Sequence, residues 1–293
     1  AQDGRGQIVT TQKLQKRNAS VSTPDEKVEM HEFQFPVLGK TELATALEFE
    51  LAKSIPSRDF VYFDILTNKK SSGSDVQCVL APRDFVDQRY DEVVGYGLTP
   101  HSLEPESSGI LTTVHLFRPG AKELNAAVLD LGYSAFRIIF IHGGRVSFTR
   151  SLYLGLGSIC NQVATAQSVP VAEANRTLRG LKKQDPASEA PSLLQSSLER
   201  LFQEALYTVC EEFTRSEFFT KDQKQLPGVD EVFLCGGGAC LPTVTDYVAR
   251  HLTDKKVETL DILKLVSSVP EGMDPTSGPL WAAALGLGVR GGK

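Results

Sequence analysis

Two short segments of this sequence combine residue types that can hold a phosphorylated ligand. In the first, Asp130-Leu131-Gly132-Tyr133-Ser134, a carboxylate and a glycine close an apolar run that begins at Ala126. A carboxylate at a strand end can ligate Mg²⁺ directly or through water. The tight turn after it can aim backbone N–H groups at phosphate oxygens, and Ser134 adds a hydroxyl. In the second, Val232-Phe233-Leu234-Cys235 runs into Gly236, Gly237 and Gly238, and a helix-like segment starts near Leu241-Pro242. Bare glycine backbone lets a base, a ribose or an α-phosphate approach closely and adopts φ > 0 without a steric penalty. Nucleotides sit at such places, at the carboxyl ends of strands in α/β sheets and near helix N-termini. Each segment also has a plainer account. Asp and Gly are ordinary hairpin-turn residues, and a glycine run can serve strand-to-helix packing alone. A third segment, Gly155-Leu156-Gly157, precedes a helix whose N-terminus suits an anion, although a simple loop explains it more economically.

Other chemistries lack their residues. The histidines are scattered with no HxxxH or HExxH spacing, and no Ser-His-Asp, Cys-His or P-loop pattern stands in a suitable context. The five cysteines, an odd number without CxxC spacing, point to a reducing compartment with neither a disulfide framework nor a zinc site. A chain of 293 residues, 41% hydrophobic and 23% charged, is long enough for roughly two domains. A net charge of -5 argues against nucleic acid as the main partner. No apolar run reaches the length of a membrane span, and the polar, basic first residues form no signal peptide.

The elements that must position these segments follow from periodicity and punctuation. Residues 1–18 form a polar N-terminal segment. Strands are expected at residues 19–22 and 28–35, a helix at 41–53, strands at 60–66 and 76–81, a helix at 82–94 and a strand at 98–103. The first helix carries Leu43, Leu47, Phe49 and Leu51, and the second is read with Phe85, Tyr90, Val93 and Val94 as its apolar side. Together these make an α+β unit, taken with a linking helix as a domain over 19–124. In the second domain, 125–293, three consecutive antiparallel strands are expected at 126–131, 134–141 and 145–151, the last pair joined at His142-Gly143-Gly144. Helices follow at 159–168 and 171–181, then a polar linker at 182–191 and a long helix at 192–219. After the glycine strand come a helix to about Leu252, a strand near 257–260 and a closing helix at 278–289.

In this order the segments resemble the actin-like ATPase superfamily, and within it the pilus-assembly branch PilM, which is related to the division protein FtsA. The resemblance runs over about residues 19–290. PVLGKTELATALEFELAKSIP looks like the inserted small subdomain of that family, and VQCVLAPRDFVDQRYDEVVGYGLTPHSLEPES like its continuation. AVLDLGYSAFRIIFIHGGRVSFTRSLYLGLGSI looks like the second phosphate hairpin, EVFLCGGGACLPTVTDYVARHL like the adenosine motif, and LWAAALGLGVR like the closing helix.

The resemblance implies an α/β, actin-like (ribonuclease H-like) fold, here partial, with an α+β subdomain inserted. It places Asp130, Gly132, Tyr133 and Ser134 at the phosphates, Asp130 at Mg²⁺, and Gly236, Gly237 and Gly238 against the adenosine of ATP. It also implies a cytoplasmic adaptor, held at the inner membrane by the N-terminal peptide of a PilN-like protein and serving a type IV pilus or type II secretion-like assembly. The family opens with a strand bearing a first phosphate loop, and nothing like it precedes Ala19, so ATP affinity is expected to be weak or absent. Tyr133 beside Gly132 is expected to narrow the phosphate site. Two alternatives share the same residues: an ATP-dependent phosphotransferase of the same superfold, and a nucleotide-free scaffold.

Overall fold

The computed structural model describes residues 13–54, 60–70, 73–120, 123–181, 191–269 and 271–291. The chain divides into two compact units, one made of the described residues of Ala1–Glu106 and Leu287–Lys293, the other of Ser107–Gly286.

In the first unit, β1 (Asn18–Thr23) lies parallel to β5 (Thr99–Pro105), and β2 (Glu29–Phe35), β4 (Gly73–Pro82) and β3 (Phe60–Lys70) form an antiparallel sheet in that order. Helix α1 (Lys40–Ser54) covers the three-stranded sheet because Leu43, Leu47 and Leu51 recur every fourth residue and so share one face. Leu47 and Leu51 are buried with Val76, Cys78 and Leu80 of β4, and Phe33 and Phe35 of β2 pack against them. Phe49, expected on that face, points outward at 62% exposure, two positions and so slightly more than half a turn from Leu47. Lys53 Nζ sits 4.1 Å from its ring centroid. Helix α2 (Arg83–Gly95) likewise buries Val93 but leaves Tyr90 and Val94 exposed. Its inward stripe runs through Val86 and Val93, seven residues apart.

The second unit is built on one five-stranded sheet in the order β10-β9-β6-β7-β8: Lys256–Thr259, Glu231–Cys235, Ala126–Leu131, Phe136–His142 and Arg145–Leu152. β6, β9 and β10 are parallel, while β6, β7 and β8 form the expected antiparallel meander. All of β6 and β7 is buried, as befits central strands covered on both faces. On one face, Ala127, Leu129, Leu131, Phe136, Ile138 and Phe140 pack against α4 (Leu156–Gln167) and α6 (Leu193–Asp222). α6 starts with a reciprocal cap: Gln195 N–H donates to Ser192 Oγ at 3.2 Å, and Ser192 N–H donates to Gln195 Oε1 at 2.8 Å. Its stripe of Leu198, Phe202, Leu206, Val209 and Phe213 then runs over the sheet. Helix α3 (Glu106–Phe117) contributes the buried Ile110 and Val114, and Thr113 Oγ1 donates to the carbonyl of Ala282, the first residue of α8 (Ala282–Gly291).

Arg118, just after α3, ties two strands together. Its Nε lies 2.9 Å from Glu231 of β9, its Nη2 lies 2.7 Å from Glu258 of β10, and its guanidinium lies 5.0 Å from the Phe233 ring centroid. The hydrogen bond from Arg118 holds the Glu258 carboxyl below its ordinary 4.5. A carboxylate depressed on folding adds stability above its unfolded pKa and loses it as pH falls through the lower folded value. Wild type is therefore expected to lose chemical stability through the acid range, and Arg118→Gln to flatten that loss. Urea midpoints measured from neutral pH downward check it.

The linker at 182–191 lies, except for Pro191, outside the described residues, as do the Ile55-Pro56 stop signal and residues 1–12. The closing helix starts later than expected, because Gly278–Trp281 forms a 3₁₀ turn before α8.

Candidate functional site

β6 and β9 run parallel with Asp130 beside Cys235, so the Asp-x-Gly turn and the glycine run leave the sheet side by side at the carboxyl ends of their strands. That position is the ordinary ligand crevice of an α/β sheet. At Asp130, however, the chain supplies its own partners. Asp130 is paired directly across the ladder with Arg137 of β7, and Arg137 Nη1 donates to Asp130 Oδ2 at 2.9 Å. Both residues are buried, at 8% and 6% exposure. The other carboxylate oxygen faces the backbone at Gly236, where an added Cβ would lie 2.5 Å from Oδ1.

The glycines meet protein in the same way. Gly236 has φ 83° and ψ 176°, a region reserved in practice for glycine. A Cβ on Gly238 would lie 2.7 Å from Leu131 Cβ, and one on Gly237 would lie 3.3 Å from Leu156 Cδ1. Gly237–Cys240 forms a 3₁₀ turn, not the start of a helix, and α7 (Val244–His251) begins only after Pro242 and Thr243. The turn is anchored by Gly236 N–H donating to the Pro279 carbonyl at 2.9 Å.

The N-terminus of α4 is also engaged. Leu156 N–H donates to the Gly132 carbonyl at 3.2 Å, and Gly157 N–H to that of Tyr133 at 2.9 Å. Two N–H groups at this helix N-terminus therefore hold the Asp-x-Gly turn instead of facing an anion. The Tyr133 ring lies over Gly157, where a Cβ would come within 2.7 Å of Cε1, and its hydroxyl accepts from Asn175 Nδ2 of α5 (Val171–Arg179) at 3.3 Å. Ser134 is exposed at the rim of the turn.

Beyond Gly238 opens a cleft of about 210 Å³. Phe202, Leu241, Pro242 and Tyr247 supply its apolar walls, and Glu199 and Gln203 of α6 its polar edge. It is smaller than the roughly 300–1,000 Å³ of most small-molecule sites. Leu241, Pro242 and Tyr247 fall in the segment likened to the adenosine motif, whereas Glu199 and Gln203 were not singled out by the sequence. The detectable signal was the spacing of Glu199 and Gln203, one helical turn apart beside Phe202. Thr243, on the cleft wall, has φ 71°, an outlier for a β-branched residue. Thr243→Gly is expected to stabilise the protein by about 0.5–1 kcal/mol, the relief of left-handed strain less the entropy of glycine. Urea unfolding measures it.

Metal chemistry has little to work with. Among the described residues no group of three or more His, Cys, Asp or Glu is placed to hold an ion. Burial raises the Cys78 thiol to about 11 and the Cys210 thiol to about 12, so both stay protonated. The Asp130 carboxylate, expected to take Mg²⁺, has a guanidinium on one oxygen and backbone against the other. A dication requiring near-octahedral oxygen ligands at about 2.0–2.1 Å does not fit there. No helix among the described residues is long and apolar enough to cross a membrane.

The search of curated proteins finds no match. Among solved structures, the chain resembles one titled "PilM-PilN type IV pilus biogenesis complex", with a TM-score of 0.80 and 19% identity, over 98% of this chain and 83% of that one. It also resembles the ethanolamine utilization protein EutJ from Carboxydothermus hydrogenoformans, with a TM-score of 0.44 and 19% identity, over 67% and 57% of the two chains. The first of these likenesses shows the actin-like ATPase fold expected from the sequence. The family profile described as "Type IV pilus assembly protein PilM" matches residues 5–291, and the chain belongs to that family.

Proposed function

We propose that this protein is an adaptor of type IV pilus assembly, or of a related secretion machine, whose output is protein binding. Its partner is the N-terminal peptide of a PilN-like inner-membrane protein, which keeps it at the cytoplasmic face of that membrane. The observation that carries this reading is the likeness to the PilM-PilN complex structure over 98% of the chain, together with the family match. An adenine nucleotide is assigned a structural or regulatory role, its adenosine against Gly236–Gly238 and the neighbouring cleft. The buried Asp130–Arg137 pair favours that role over phosphoryl transfer, because a carboxylate bound to a guanidinium is ill placed to hold a metal or activate a nucleophile.

Co-expression tests the adaptor role. The chain is expected to co-purify with a full-length PilN-like partner and to lose it when the partner's N-terminal segment is deleted. Retention after that deletion would contradict the proposed contact.

A further inference from the structure

We infer that the Asp130–Arg137 pair leaves the crevice at the carboxyl ends of β6 and β9 without a site for a divalent cation, so that any nucleotide seated there binds equally well with and without Mg²⁺. Asp130 is then a positioning residue. It sits at the junction of three strands, opposite Arg137 on β7 and beside Cys235 on β9. Arg137 Nη1 occupies Oδ2 at 2.9 Å, and the Gly236 turn closes over Oδ1. Both members are buried, so solvent does not weaken the pair as it would at the surface. A dication brought to this carboxylate would meet the guanidinium as a like charge in a medium that screens poorly, and would have to displace it. Glu104 of β5, also buried, is likewise held by an arginine: Arg290 Nε lies 2.6 Å from its Oε2. At both of these strand ends the carboxylate is paired with an arginine of the chain itself.

The inference concerns cations at the cleft and not peptide binding, so the two can fail separately. The test is the melting temperature of the full chain in four conditions: EDTA alone, Mg²⁺ alone, ATP with EDTA, and ATP with Mg²⁺. At an ATP concentration that raises the melting temperature, the shifts with ATP–EDTA and ATP–Mg²⁺ are expected to agree within about 1 °C. A Mg²⁺ increment of several degrees that disappears in Asp130→Asn would overturn the inference. An increment that needs ATP and survives Asp130→Asn would overturn it as well, because the nucleotide would then take its cation through another group. Arg137→Gln, if it folds, is expected to gain a Mg²⁺ response that wild type lacks. If it does not fold, the comparison of wild type with Asp130→Asn decides.

Discussion

Arg137→Ala is expected to destabilise the protein by about 3–5 kcal/mol, because it leaves the Asp130 carboxylate buried without its cation. Asp130 is 8% exposed and Arg137 is 6% exposed, so water cannot replace the lost partner without opening the sheet. The size of the loss does not measure the worth of the pair. Removing both charges, as in Asp130→Leu/Arg137→Met, eliminates the desolvation penalty together with the attraction, and buried ion pairs replaced in this way are often near neutral. The double variant is therefore expected to recover at least about 2 kcal/mol of the single-variant loss. Urea unfolding of wild type, Asp130→Leu, Arg137→Met and the double variant closes the cycle, with Arg137→Ala measured beside it. A double variant as unstable as Arg137→Ala would show that the site depends on these side chains for more than charge balance.

Gly236→Ala is expected to cost about 4 kcal/mol, the sum of two independent penalties. The backbone at φ 83° and ψ 176° strains any side chain, and the new Cβ would lie 2.5 Å from Asp130 Oδ1 and 2.8 Å from the Leu131 carbonyl. Neither neighbour can move easily, since one is fixed by Arg137 and the other is β6 backbone. Gly237→Ala is the control. Its Cβ would meet side-chain carbons at 3.3 and 3.8 Å and no positive φ is involved, so a loss well under that of Gly236→Ala is expected. Equal losses at the two positions would refute this account of the glycine run.

The contrast between these glycines shows how far the sequence could be read. Three bare positions after an apolar strand announce close approach, and close approach is what the structure contains. Nothing in GGG says whether the approaching atoms belong to a ligand or to Asp130, Leu131 and Phe202. The meander was legible because β6, β7 and β8 alternate with turns of recognisable chemistry, and α6 because its leucines and phenylalanines keep a helical period over thirty residues. Pairing β6 with β9 joins segments with two strands and three helices between them, and periodicity does not announce it.

Arg137 was within reach. It is a lone charge in the apolar run Phe136–His142, and Asp130 is a lone charge in Ala126–Leu131. In an antiparallel pair whose last rungs are Leu131 and Phe136, the two must face each other. The outward faces of Phe49 and Tyr90 were misread for a different reason. Helices that cover small sheets need only a narrow stripe, and aromatic residues off that stripe remain in solvent.

Family membership makes protein binding the central claim, and direct titration tests it. Fluorescence anisotropy of a labelled peptide with the N-terminal sequence of the PilN-like partner is expected to rise saturably on addition of this protein. A scrambled peptide of the same composition is expected to give no rise. Binding of both peptides alike, or no saturable change up to about 1 mM protein, would contradict the adaptor account.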